Sequence, residues 1–173
     1  MPNLLIGGQK ILGGITSQLT FLCSSNKKIG AKLFPPESQQ SISKHLSYFE
    51  RQMRPCTQNL IQALMLDHKN KREQQAHRDQ QWDATLTEQE QKHQQYIDKQ
   101  KSVFFRELLH SLNDELTKQT YFGARSVSLA DIQYYCEIST VVLLLKAEVN
   151  KQDLPRLAQW FYQDMQETHP DLV

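Results

Sequence analysis

Ser128-Leu129-Ala130-Asp131, with Val127 before it and Ile132 after it, is the feature that most narrows what this chain can fold into. The Ser128 hydroxyl can accept from the backbone N–H of Asp131, the Asp131 carboxylate can reach back to the N–H of Ser128, and Val127 can staple onto Ile132. That is a complete capping box, and it predicts a helix that begins here. Downstream, Ile132, Tyr135, Cys136, Ile138 and the run 141–145 lie almost all round a helix, so the helix is expected to be central and buried. Tyr134 and Tyr135, one turn after the cap, are read as core.

Other helices follow from apolar spacing. From Ser38 onward Ile42, Leu46, Phe49, Met53, Cys56, Leu60 and Leu64 recur every three or four residues, with Pro55 expected to kink or break the run. Val103, Phe104, Leu108, Leu112 and Leu116 form a second stripe. Leu157, Trp160, Phe161 and Met165 form a last one, opened by Pro155 and stopped by His169-Pro170. Residues 67–101 differ in kind: Gln, Lys, Glu, His and Asp dominate, and Trp82, Leu86, Tyr96 and Ile97 are the substantial apolar residues. Without a strict heptad this stretch reads as a solvated helical hairpin rather than a coiled coil.

At the N-terminal end, Leu4-Leu5-Ile6 and Lys10-Ile11-Leu12 flank Gly7-Gly8, the pattern of a β-hairpin. Residues 16–23 read as a short helix with Leu19 and Leu22 apolar and Thr16 or Ser17 as its cap. Leu33-Phe34-Pro35-Pro36 reads as an extended linker.

Composition excludes several classes. Twenty Lys and Arg against 19 Asp and Glu leave no overall field, so contact with nucleic acid or an anionic membrane would need a local patch. Cys23, Cys56 and Cys136 form no CxxC pair, which fits a reducing compartment and buried or half-buried thiols. The six histidines show no metal spacing, and those at 68, 77 and 93 read as solvated. No apolar run approaches the length of a membrane span. No acidic residue precedes Glu37, whereas Lys10, Lys27, Lys28 and Lys32 do; that pattern also describes an organelle presequence, although it lacks arginine.

Together the hairpin, the Gly13-Gly14-Ile15-Thr16-Ser17 helix start, the paired prolines, the Ser128 to Ile132 box and Trp160-Phe161 resemble the glutathione S-transferase (GST) superfamily. The fold class this implies is mainly α: a GST C-terminal-like helical bundle preceded by a β-hairpin plus helix remnant of a thioredoxin-like domain. The expected divisions are residues 1–32 for the remnant, 33–37 for the linker and 38–173 for the helical domain, with the polar extension at 67–101. The resemblance sets Pro2 at the family's cis-proline position, and Gly13 to Ser17 where the family holds the γ-glutamyl end of glutathione. This chain departs there, since no acidic or amide residue precedes the serine.

The family's thiol-activating hydroxyl belongs to a first strand and helix that precede anything in this sequence. The expectation is therefore a protein without catalytic, cofactor-binding or metal-ligating residues. It would act as a scaffold subunit in a stable hetero-complex with other protein subunits, as translation-associated GST-like assembly modules do. The candidate interface is the apolar face of the hairpin and first helix: Pro2, Leu4, Ile6, Ile11 and Leu19. Nucleic acid and membrane insertion are not expected, and the location is cytoplasmic, with a mitochondrial or other organellar assembly as the alternative. Two other readings stand beside this one: a transferase-type enzyme completed by another chain, and a structural subunit of an organellar or cytoskeletal complex.

Overall fold

A computed structural model describes residues 4–6, 9–11, 14–77 and 88–167. Among them the architecture is mainly helical. The backbone of β1 (Leu4–Ile6) pairs antiparallel with β2 (Gln9–Ile11), Leu4 opposite Ile11 and Ile6 opposite Gln9. Then come α1 (Ile15–Ser25), α2 (Lys27–Leu33), a 3₁₀ turn (Pro36–Ser38), α3 (Gln39–Tyr48), α4 (Arg54–His77), α5 (Glu88–Ser102), α6 (Leu109–Leu116), α7 (Leu129–Leu145) and α8 (Pro155–Gln159). Pro2, Gly7-Gly8, Leu12-Gly13, Trp82, Leu86 and His169-Pro170 lie outside the described residues, as do the side chains of Leu4, Ile6 and Ile11.

Pro55 does not break its helix. A π-helical turn, Phe49–Met53, joins α3 to α4 directly upstream, and the N–H of Arg54 bonds the carbonyl of Phe49 five residues back. The wider turn gives the proline ring room where the carbonyl four residues back would otherwise collide with it. Similar stretches, Val103–Leu108 and Trp160–Glu167, carry α5 into α6 and extend α8.

One apolar core runs from Cys23 to Met165. The stripe residues Ile42, Leu46, Phe49, Met53, Leu60, Leu64, Phe104, Leu108, Leu112 and Leu116 are all buried in it, as are Leu157, Trp160 and Phe161. The expected extended linker is shorter than the four residues read from the sequence: Leu33 closes α2, Phe34 is buried in the common core, Pro35 is extended, and Pro36 opens the 3₁₀ turn. Two prolines limit backbone freedom, but a neighbouring apolar side chain still finds the core. The polar extension continues α4 to His77 and returns as α5, which packs on α4 with Ile97 buried between them. His93, expected in solvent, is half-buried there, its Nε2 3.2 Å from the carbonyl of Ala63.

α6 and α8 complete each other. α8 begins with Pro155 and has no side-chain cap of its own. The Asn113 side chain of α6 supplies one, Oδ1 accepting from the N–H groups of Arg156 at 3.1 Å and Leu157 at 3.2 Å. In return Arg156 Nε donates to the carbonyl of Leu116 at the end of α6, 3.2 Å away. Before α7 the chain turns through Gly123, whose φ of 81° is in the left-handed region. A Cβ there would lie 2.9 Å from the backbone nitrogen of Ile42, so glycine is required both by φ and by the close approach to α3.

The burial of α7 is uneven. Its first turns and one face as far as Ile138 and Val141 are core, while Cys136 and Thr140 on the other side are exposed and the last turn leaves Leu143 76 % and Leu144 40 % exposed. An apolar sequence all round a helix cannot by itself say where neighbouring helices end. Lys146 then closes α7 in the left-handed conformation, φ 50°, and the N–H of Ala147 reaches back to Val142 O at 3.0 Å.

Candidate functional site

The residues around the α7 cap form the most closely bonded polar centre of the structure. The Ser128 hydroxyl accepts from the N–H groups of Ala130 at 3.2 Å and Asp131 at 3.4 Å, and Asp131 accepts from the N–H of Ser128 at 2.9 Å. Val127 is buried and Ile132 half-buried against the same core. Asp131 does more than cap: its Oδ1 also accepts from the N–H of Phe122 and from Trp160 Nε1, each at 3.0 Å. The carboxyl thus ties together the loop before α7, the start of α7 and the segment after α8. It is fully buried, and burial pushes its pKa from 3.8 up to about 6 against the opposing effect of its hydrogen bonds.

Aromatic rings close over this centre. Phe122 packs against Tyr134 with centroids 4.6 Å apart and edge-on to Trp160 at 5.1 Å. The Tyr134 hydroxyl donates to the carbonyl of His45 at 3.0 Å, and burial raises its pKa. His45 itself stands edge-on to Phe122 and Tyr134; burial lowers its pKa, partly offset by Glu115. The backbone N–H groups of Phe122 and Ser128, the Trp160 indole N–H and the Tyr134 hydroxyl are all directed at protein acceptors, which ties the helices together here.

A second polar cluster lies at the start of α1. Gly14, not Thr16 or Ser17, occupies the cap position, and no side chain caps this helix. Thr16 is drawn instead to distant partners: its hydroxyl donates to Glu50 and accepts from Gln133 Nε2 at 3.1 Å. Arg54 Nη1 pairs with Glu50 at 3.0 Å. Thr16 and Glu50 also line an open cleft of about 410 Å³, together with Ser17, Thr20, Ser43, Ser47 and Arg51. This clustering was not legible beforehand, because Thr16, Glu50 and Gln133 are far apart in sequence. Nearby, Thr57 donates to Glu137 and bridges α4 to α7.

Of the candidate interface residues, Leu19 is half-buried and packs in part against the protein's own core. Pro2 and the side chains of Leu4, Ile6 and Ile11 lie outside the described residues. Leu22, the other apolar residue read on this helix, is 41 % exposed. The large apolar side chains left in solvent are Phe21, Leu22 and Ile29 on α1 and α2, Met65 and Leu66 on α4, Tyr96 on α5, and Leu143 and Leu144 on α7. Cys23 is buried and Cys56 half-buried, but Cys136 is exposed, contrary to the expectation for all three thiols. It sits on the side of α7 that the neighbouring helices do not cover. Among the described residues no group of three His, Cys, Asp or Glu could hold a metal ion, and no helix is long and apolar enough to cross a membrane.

No family model, no curated protein and no solved structure matches the chain.

Proposed function

We propose that the chain is a protein–protein interaction module of the GST C-terminal-like helical type, a non-catalytic scaffold subunit of a larger assembly. The observation that carries this reading is the exposure of large apolar side chains on helices whose inner faces already complete a closed core. Leu143 is 76 % and Met65 64 % exposed, with Leu66, Tyr96 and Leu144 also in solvent. Side chains of this kind, Met and aromatics among them, are enriched at protein interfaces. A translation-associated complex is the leading setting, with an organellar or cytoskeletal assembly as the alternative.

The test is a native purification of the full chain beside a Met65→Gln/Leu143→Gln variant, with mass spectrometry and light scattering of what elutes. The wild type is expected to bring a stoichiometric set of proteins that the variant loses. Elution of the wild type alone as a monomer would refute the scaffold. A second reading is favoured by the cleft at Thr16 and Ser17, the positions that the GST resemblance sets at the γ-glutamyl end of glutathione. In that reading the chain is part of a transferase-type enzyme completed by another chain. Calorimetric titration with glutathione decides it: saturable binding lost in Thr16→Val supports the enzyme, and no heat rejects it.

A further inference from the structure

The first 36 residues contain no acidic residue, although acids and bases balance over the whole chain. Within that segment α1 and α2 form a fixed corner. Asn26 caps α2, its side chain accepting from the N–H groups of Lys28 and Ile29 at 3.1 Å each. Gly30 lets α2 lie directly on α1, for a Cβ there would fall 2.2 Å from the carbonyl oxygen of Cys23. Yet α2 buries none of its residues. Lys27, Lys28 and Lys32 of α2 are exposed, as are Ile29 at 45 % and, on the helix it packs against, Phe21 and Leu22 at 39 % and 41 %. Among the described residues no carboxylate lies within ion-pairing distance of these lysines.

We propose that the α1–α2 corner docks the protein on an anionic phospholipid surface, with Lys27, Lys28 and Lys32 at the headgroups and Phe21, Leu22 and Ile29 entering the boundary with the acyl chains. Charge of a single sign flanking a few large apolar side chains is the composition of an interfacial membrane contact. A protein interface instead depletes lysine and favours arginine, which this corner lacks. A bilayer also accepts separated, partly embedded apolar side chains without the shape complementarity a protein partner needs. The chain would lie on the membrane rather than cross it, which agrees with its lack of a spanning helix among the described residues. The exposed residues of α4 and α7 remain available to protein partners.

The experiment is co-sedimentation of the full chain with large unilamellar vesicles of phosphatidylcholine, alone or with about a third phosphatidylserine. Each lysine brought to an anionic surface gives roughly a fivefold gain in partitioning, so three give roughly a hundredfold preference for the anionic vesicles at low salt. The preference should collapse as salt rises. Lys27→Glu/Lys28→Glu/Lys32→Glu should abolish it, and Phe21→Gln/Ile29→Gln should lower binding to both kinds of vesicle while circular dichroism shows the fold intact. Equal partitioning to neutral and anionic vesicles, no binding at all, or anionic binding that survives both variants would overturn the proposal. So would loss of a stoichiometric protein partner in these variants without any vesicle binding by the wild type, which would make the corner a protein-docking face.

Discussion

Removing the Asp131 carboxyl should cost far more than an ordinary helix cap, and the cost should grow as the pH falls. Three buried donors converge on it: the N–H groups of Phe122 and Ser128 and the indole N–H of Trp160. In Asp131→Ala each loses its acceptor, at about 2 kcal/mol apiece or about 6 in total. Part of that loss is offset at neutral pH, because the wild type there holds an ionised carboxylate out of water. Raising the carboxyl pKa from 3.8 to about 6 on folding corresponds to about 3 kcal/mol, at about 1.4 kcal/mol per unit. The net destabilisation at pH 7 is therefore about 3 kcal/mol, above the 1 kcal/mol or so of a typical cap.

The direction of the pH dependence follows from the raised folded pKa. Protonation favours the folded state, so the wild type gains stability from this group as the pH drops below about 6, and the gain is complete below 3.8. The geometry accommodates that proton: Ser128 Oγ is 2.7 Å from Asp131 Oδ2 and 2.8 Å from the carbonyl of Phe122, and one hydroxyl proton cannot serve both acceptors. A protonated Asp131 can donate to Ser128 while Ser128 donates to Phe122. Urea unfolding of wild type, Asp131→Ala and Asp131→Asn at pH 7 and pH 4.5 measures the effect, with other titrations cancelling in the differences. The gap between wild type and either variant should widen by about 2 kcal/mol on acidification. A gap that stays constant or narrows would refute the raised pKa, and an Asp131→Ala cost below about 1 kcal/mol would refute its role as the meeting point of three segments.

Gly123→Ala should lower stability by about 2 kcal/mol or more in the same assay, since φ is 81° and the added Cβ would meet the backbone of Ile42. Lys146→Gly should do the opposite, gaining about 0.5–1 kcal/mol because glycine takes the left-handed closing position of α7 without steric cost. Among the thiols, Cys136 should react first with an aromatic disulfide, Cys56 more slowly, and Cys23 only on unfolding; burial raises the pKa of all three, so exposure sets the order.

The amino-acid sequence by itself determined the features whose physics spans three or four residues. The α7 cap is one, because Ser128 and Asp131 are brought within reach by helix geometry alone. The apolar stripes are another, since 3.6-residue periodicity sorts Ile42, Leu46 and Met53 or Leu112 and Leu116 to one side wherever the helix finally packs. Tertiary structure decided everything that needs two distant segments. Asp131 became a buried junction only when Trp160, 29 residues on, pointed its indole N–H at it. Thr16 left the cap it was expected to form because Glu50 and Gln133 arrived beside it. Leu19 turned inward and Leu143 outward although both are leucines on apolar stretches, because burial depends on which neighbour covers a helix face and where that neighbour stops. Local hydrogen bonds and periodicity are properties of a short stretch of chain, whereas coverage and long-range pairing are properties of the packed whole.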